Sequence, residues 1–286
     1  MRLLISNDDG IHSAGLATLA KVAAQFGDVI VAAPEVENSS ASHAISASRP
    51  PSFRRARIRG GFEAYRVDGT PADCVALGIF HHPDIDVVLS GVNLGTNLGN
   101  GIWHSGTMAA ARQASLLGMR GIALSTPVIS DDPDLTQLEP YLARVLELLL
   151  PRDDLRMVNV HLPARARGIH WARQAAEKYD GEVVPTTDPY GRPVYWLAVT
   201  QLREHAAETD LWAFERGYIT ITPLRLDLTD HAELAGLDAQ QRVVEFEDEL
   251  APQVISDEEA ADDEGEQLRS SEWTGLGESK STNSSS

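Results

Sequence analysis

The chain has 286 residues, 43% of them hydrophobic, one cysteine, and a formal net charge of -18 at pH 7. That length can bury a sizeable core, while the acidic balance argues against affinity for nucleic-acid polymers, whose phosphates call for clustered Lys and Arg. Cys74 alone allows neither an intrachain disulfide nor a CxxC zinc pair, and the absence of long apolar runs and of a signal-peptide pattern predicts a soluble cytoplasmic protein with no membrane contact.

Short apolar runs alternate with amphipathic stretches through the first half of the chain. Strands are expected at 2–6, 28–33, 86–90, 121–125 and 157–161, and helices at about 13–26, 71–80, 105–117 and 135–150. This alternation predicts an α/β fold with a doubly wound, mostly parallel Rossmann-like sheet. Leu16, Leu19, Ala20 and Ala23 give the first helix its apolar stripe, and Gly27 is its expected stop. Beyond Leu162 the pattern changes: "PVYWLAVT" and "GYITITPLRLDL" read as strands of an antiparallel or protruding element. After Leu250 periodicity is lost, and thirteen acids stand against two basic residues between Glu245 and Ser286. The expected organisation is one domain over 1–250, with a catalytic core over about 1–162 and a strand-rich part over 163–250. An acidic tail over 251–286 then lacks the apolar surface to order itself.

In a doubly wound sheet, ligands bind beyond the carboxyl ends of the strands. Three loops rich in Asp, Asn, Ser and Gly fall there: Asn7-Asp8-Asp9-Gly10, "EVENSSASHAIS" from Glu35 to Ser46, and "SGVNLGTNLGNGIWHSGT" from Ser90 to Thr107. Asp8 and Asp9 can share a ligand only where the backbone turns, and Gly10 supplies that turn. Two close carboxylates repel unless one is protonated or a cation lies between them. Hard divalent ions such as Mg2+ or Mn2+ prefer the oxygen donors that Asp, Asn and Ser carry. Helix capping explains an isolated pair of acids slightly better, but three convergent oxygen-rich loops favour the cation. Ser105-Gly106-Thr107 opens a helix, where free N–H groups and two hydroxyls form a cradle for phosphate. Cys74 is expected in the core, and Glu35, Glu37 and the His81-His82 pair are expected as solvated loop residues.

These residues resemble the survival protein SurE family. The likeness rests on "LLISNDDGIHSAGL", "VIVAAPEVENSSASHAIS", "VDGTPADCVALGI", "DVVLSGVNLGTNLGNGIWHSGTMAAAR" and "GIALS", in that order, followed later by "GYITITPLRLDLT". The resemblance implies a metal-dependent 5'(3')-nucleotidase, some relatives also acting on short polyphosphate. It implies metal ligands at Asp8, Asp9, Ser39 and Asn93 for one divalent cation per subunit. It also implies phosphate or substrate contacts at Asn97, Ser105, Gly106 and Thr107, with Ser42 and His43 in the same serine loop. Homodimers or homotetramers formed by exchange of C-terminal strands would follow. Three positions depart from the family pattern: Ser40 stands where glycine is usual, Trp103-His104 where a tyrosine precedes the serine, and Ala14-Gly15 where Pro-Gly is common. The first is expected to stiffen the serine loop.

The implied reaction is hydrolysis of a nucleoside monophosphate by metal-activated water, with Asp8 or Asp9 as general base. A non-catalytic sensor that binds metal and nucleotide in the same cleft is the alternative. A haloacid-dehalogenase-like phosphatase would need Asp-x-Asp, and Asn7 occupies the nucleophile's position. The stretch "NDDGIHSAG" offers no dinucleotide GxGxxG.

Overall fold

The computed structural model describes residues 1–127, 133–176, 181–199 and 205–237; the expected tail over 251–286 lies outside them. In chain order the elements are β1 (Arg2–Ser6), α1 (Ala14–Ala23), β2 (Asp28–Pro34), β3 (Phe53–Ala56), β4 (Glu63–Val67), α2 (Pro71–His81), β5 (Val87–Leu94), α3 (Gly106–Leu116), β6 (Arg120–Thr126), α4 (Glu139–Leu149), β7 (Met157–His161), β8 (Ile169–Trp171), β9 (Gly181–Thr187), β10 (Pro193–Val199), α5 (Asp210–Glu215), β11 (Ile219–Leu224) and α6 (His231–Gly236). Short 3-10 turns at Gly99–Trp103 and Thr136–Leu138 lead into α3 and α4. The chain divides into Met1–Leu228 and a segment from Thr229, whose described part is α6 with Asp230 as its cap.

The main sheet runs β3-β4-β2-β1-β5-β6-β7-β11-β8. From β4 to β7 every pairing is parallel, whereas β3 and β11 run antiparallel to their neighbours β4 and β7. Alternation along β1 divides the core between the two faces of this sheet. Leu3 and Ile5 join Leu16 and Leu19 of α1 and Leu142 and Val145 of α4; Leu4 joins Cys74 and Val75 of α2 and Ala110 and Ala114 of α3. Cys74 is thus the small buried core residue expected of it.

The helices begin where local chemistry starts them. In α2, Thr70 Oγ1 accepts the Asp73 N–H at 3.2 Å, Asp73 Oδ2 accepts the Thr70 N–H at 2.8 Å, and Pro71 stands in the first turn. In α3, Ser105 Oγ accepts the Met108 N–H at 3.0 Å. Gly15 lets α1 lie on β5, since a Cβ there would sit 1.9 Å from the Val92 carbonyl oxygen.

Three expectations shift. The first helix ends at Ala23, because the chain must turn back to bring Asp28 N–H onto the Met1 carbonyl at 3.0 Å. β3 and β4 extend the sheet through a stretch in which no strand is expected. The segment "GYITITPL" supplies β11 inside the main sheet, while β9 and β10 form a separate antiparallel ribbon.

Candidate functional site

The chain leaves β1 toward β2 on one side and β5 on the other, so the carboxyl end of β1 is where the strand order reverses. Asp8 and Asp9 follow immediately. The Asp8 carbonyl accepts the Asn38 N–H at 2.7 Å, which joins the first loop to the serine loop after β2. Gly10, with φ of +97°, makes the turn, and Asn7 Nδ2 closes it on the Gly10 carbonyl at 3.0 Å.

Asp8 is only 4% exposed and its Oδ1 accepts the Thr107 hydroxyl at 2.5 Å. Burial pushes the Asp8 carboxyl up, while the Thr107 hydroxyl and backbone N–H pull it back down. Asp9 is half-buried, and its Oδ2 accepts the Leu94 N–H at 3.3 Å. Burial first, and then the adjacent Asp8 charge, push the Asp9 carboxyl up to about 6. The charge of Glu37 raises both. Among the described residues no lysine, arginine or histidine pairs with Asp8, Asp9 or Glu37. These carboxylates therefore lack the positive charge that would offset their repulsion.

Ser39 and Glu37 form one unit, with the serine hydroxyl donating to Glu37 Oε1 at 2.7 Å. Glu37 is exposed, as expected of a loop acid, and its charge acts on Asp8 and Asp9, while Glu35 pairs with Arg66 at 2.8 Å. Asn93 ends β5, and its Nδ2 donates to the Gly95 carbonyl at 3.0 Å, which leaves Oδ1 as the oxygen it offers a cation. A divalent ion fits this set: two carboxylates raised by burial and by neighbouring acidic charge, with neutral Ser and Asn oxygens at the neighbouring strand ends. Among the described residues no three His, Cys, Asp or Glu side chains gather as a metal cluster, so the remaining donors would be neutral oxygens or water.

The turn Ser105-Gly106-Thr107 lies directly against Asp8. A Cβ on Gly106 would meet Asp8 Cβ at 2.7 Å and Oδ2 at 2.9 Å, so glycine is what allows the start of α3 to approach the carboxylate. Ser105 Oγ accepts the Met108 N–H and the Thr107 hydroxyl donates to Asp8, so the donors this turn could offer an anion are the Ser105 hydroxyl proton and backbone N–H groups. Asn97 is buried and held from beneath: its N–H donates to His161 Nε2 at 2.6 Å, its Nδ2 to Ser125 Oγ at 3.0 Å, and its carbonyl accepts Asn159 Nδ2 at 2.8 Å. His161 and Asn159, absent from the expected site, thus support one of its members.

Ser42 and His43 reach α3 and the loop before it. Ser42 Oγ donates to the Trp103 carbonyl at 2.7 Å, the Ser42 N–H donates to the His104 carbonyl at 3.1 Å, and His43 Nε2 donates to Gln113 Oε1 at 2.8 Å. These contacts latch the serine loop onto the helix that carries Thr107. Both Ser40 and Ser42 adopt left-handed backbone, with φ of 60° and 55°.

Comparison with known proteins follows the same residues. The family model described as Survival protein SurE matches residues 3–181. The "5'-nucleotidase SurE 1" of Thermus thermophilus is 43% identical over 244 residues, covering 83% of this chain and 96% of that protein. The "5'-nucleotidase SurE" of Geobacter metallireducens is 39% identical over 248 residues, covering 83% and 96%. The crystal structure of the SurE protein from Aquifex aeolicus superposes with a TM-score of 0.70 at 33% identity, covering 82% of this chain and 97% of that one.

Proposed function

The chain belongs to the survival protein SurE family, and from that membership and the Asp8–Asp9 geometry we propose that it is a metal-dependent 5'-nucleotidase, releasing phosphate from nucleoside monophosphates. The observation that carries the reading is the adjacent pair of carboxylates, both raised, without a basic partner, and set against the start of α3.

Asp8, Asp9, Ser39 and Asn93 would hold one Mg2+ or Mn2+ ion. When bound, such an ion supplies Lewis acidity toward a phosphoryl oxygen and toward water at neutral pH. Asp8 is fixed by the Thr107 hydroxyl, so its role is orientation. Asp9, whose Oδ2 accepts the Leu94 N–H, would take a proton from an attacking water as general base. Donors of the Ser105–Thr107 turn and of Asn97 would steady the equatorial oxygens as charge redistributes over them. Ser42 and His43 act through the serine loop, by keeping Ser39 and Glu37 beside the carboxylates.

The same reading extends to assembly and location. Trp196 and Leu197 point to opposite faces of the β9–β10 ribbon and are 69% and 83% exposed, so neither face is covered by the described chain. An apolar two-stranded ribbon of this kind is marginal alone, which favours a homodimer or homotetramer built by exchange of the strand-rich second half. A buried free thiol and the absence, among described residues, of a helix long and apolar enough to cross a membrane accord with work in the cytoplasm.

A phosphate-release panel of 5'- and 3'-ribonucleotides, deoxynucleotides, p-nitrophenyl phosphate and short polyphosphate, run with Mg2+, Mn2+ or EDTA, tests the proposal. Turnover of 5'-monophosphates with metal and none in EDTA is expected. Metal-independent turnover, or none with either ion, would contradict it.

A further inference from the structure

The loop between β5 and α3 carries Asn97 and connects Asn93 to the Ser105–Thr107 turn, so its placement sets the distance between the two halves of the candidate site. It spans Gly95 to His104, with one 3-10 turn as its internal structure. Its position is fixed from outside. Gly99 N–H donates to Asp210 Oδ2 at 2.9 Å, Gln174 Nε2 donates to the Gly99 carbonyl at 3.2 Å, and Asn97 takes its three bonds from Ser125, Asn159 and His161. Ser125 and His161 are register partners at the ends of β6 and β7, and Asn159 and His161 share one face of β7.

His161 is the unusual member. It is fully buried, lies edge-on to the Phe214 ring at 5.8 Å, and has no carboxylate beside it among the described residues. Since a backbone N–H donates to Nε2, the proton of the neutral ring must be on Nδ1, and among the described residues Nδ1 has no hydrogen-bond partner. A buried donor without an acceptor costs free energy that a phenylalanine or leucine in the same space would avoid. What the imidazole supplies there, and an apolar side chain would not, is an acceptor for the Asn97 N–H. Burial also pushes the ring down to about 3, so it keeps that lone pair at any pH where the protein works.

We propose that His161 is a positioning residue for the nucleotidase site: through Nε2 it fixes the Asn97 backbone, and so the loop that brings Asn97 and the Ser105–Thr107 turn to the mouth of the Asp8–Asp9 pair. The inference rests on the reading of that loop as the phosphate-binding one. Glutamine carries an oxygen at about the distance of Nε2, so His161→Gln keeps the acceptor; His161→Phe keeps a ring and removes it.

The test has two arms. In the metal-free protein at neutral pH, hydrogen exchange of the Asn97 amide should quicken at least tenfold in His161→Phe and stay within about threefold of wild type in His161→Gln. With Mn2+, kcat/KM for AMP should fall at least tenfold in His161→Phe, mainly through KM, and His161→Gln should recover most of it. If His161→Phe does not fold, His161→Met takes its place. Unchanged exchange and kcat/KM in the variant lacking the acceptor would overturn the proposal, as would equal losses in the Gln and Phe variants. Should wild type fail to hydrolyse AMP, the functional reading falls, while the exchange arm still decides whether His161 holds the loop.

Discussion

Asp9 ties the electrostatics of the site to the stability of the whole chain. Its carboxyl is pushed up to about 6 in the folded state, whereas an unfolded aspartate titrates near about 3.9. Between those values the native protein keeps a proton that the unfolded chain releases. Its contribution is therefore complete below about pH 4 and is lost as pH rises through about 6. The loss is at most about 3 kcal/mol, and smaller because Asp9 is partly solvated. Melting in EDTA should show Tm falling between about pH 4 and pH 7 more steeply for wild type than for Asp9→Asn; equal slopes would contradict the shift. Added Mn2+ should raise Tm more at the upper end of that range, since it competes with the proton. Gly106 gives a steric counterpart. Gly106→Ala places a methyl group 2.7 Å from Asp8 Cβ, with an expected cost of about 1–3 kcal/mol in urea unfolding and a loss of about a hundredfold in kcat. Gly101→Ala, where a Cβ meets nothing within 4 Å, should leave both unchanged.

At the scale of elements, the serine loop shows what residue type alone can reveal. Ser40 stands where the family resemblance places glycine, and its backbone is left-handed, with φ of 60°, a conformation that glycine adopts freely. Such a conformation costs a non-glycine residue about 1–2 kcal/mol. Ser40→Gly should therefore hold or raise stability by up to about 1 kcal/mol, and Ser40→Val should lower it by more than that, both read from urea midpoints at constant m. A fall in the glycine variant would show that the Ser40 side chain makes a stabilising contact. Strand visibility follows from burial. β1, β5 and β7 are buried on both faces and read as apolar runs, whereas β3 carries exposed Arg54 and Arg55 at the sheet edge and shows no apolar period.

Across the whole molecule, what the residue pattern made legible lies within single loops: the Asp8-Asp9 pair and the oxygen-rich stretches that contain Ser39 and Asn93 each follow an apolar run, while the choice of Ser39 and Asn93 within them rested on the family resemblance. What was not legible depends on residues far apart in sequence. Thr107 bonds Asp8 across 99 residues, and Asn159 and His161 meet Asn97 across 62 and 64. In "MVNVHL" the Asn and His read only as polar breaks in a strand. The second half raises the question of assembly. Trp196→Ser with Leu197→Ser should lower the molar mass measured by light scattering if the β9–β10 ribbon joins subunits, and an unchanged mass would place the interface elsewhere. Binding of a divalent cation by Asp8 and Asp9 for phosphomonoester hydrolysis can be read from phosphate release from AMP in wild type and Asp9→Asn at saturating Mn2+. Such binding predicts turnover by wild type that EDTA abolishes, and a loss of at least about a hundredfold in Asp9→Asn. Full activity in Asp9→Asn, or in wild type stripped of metal, would contradict it.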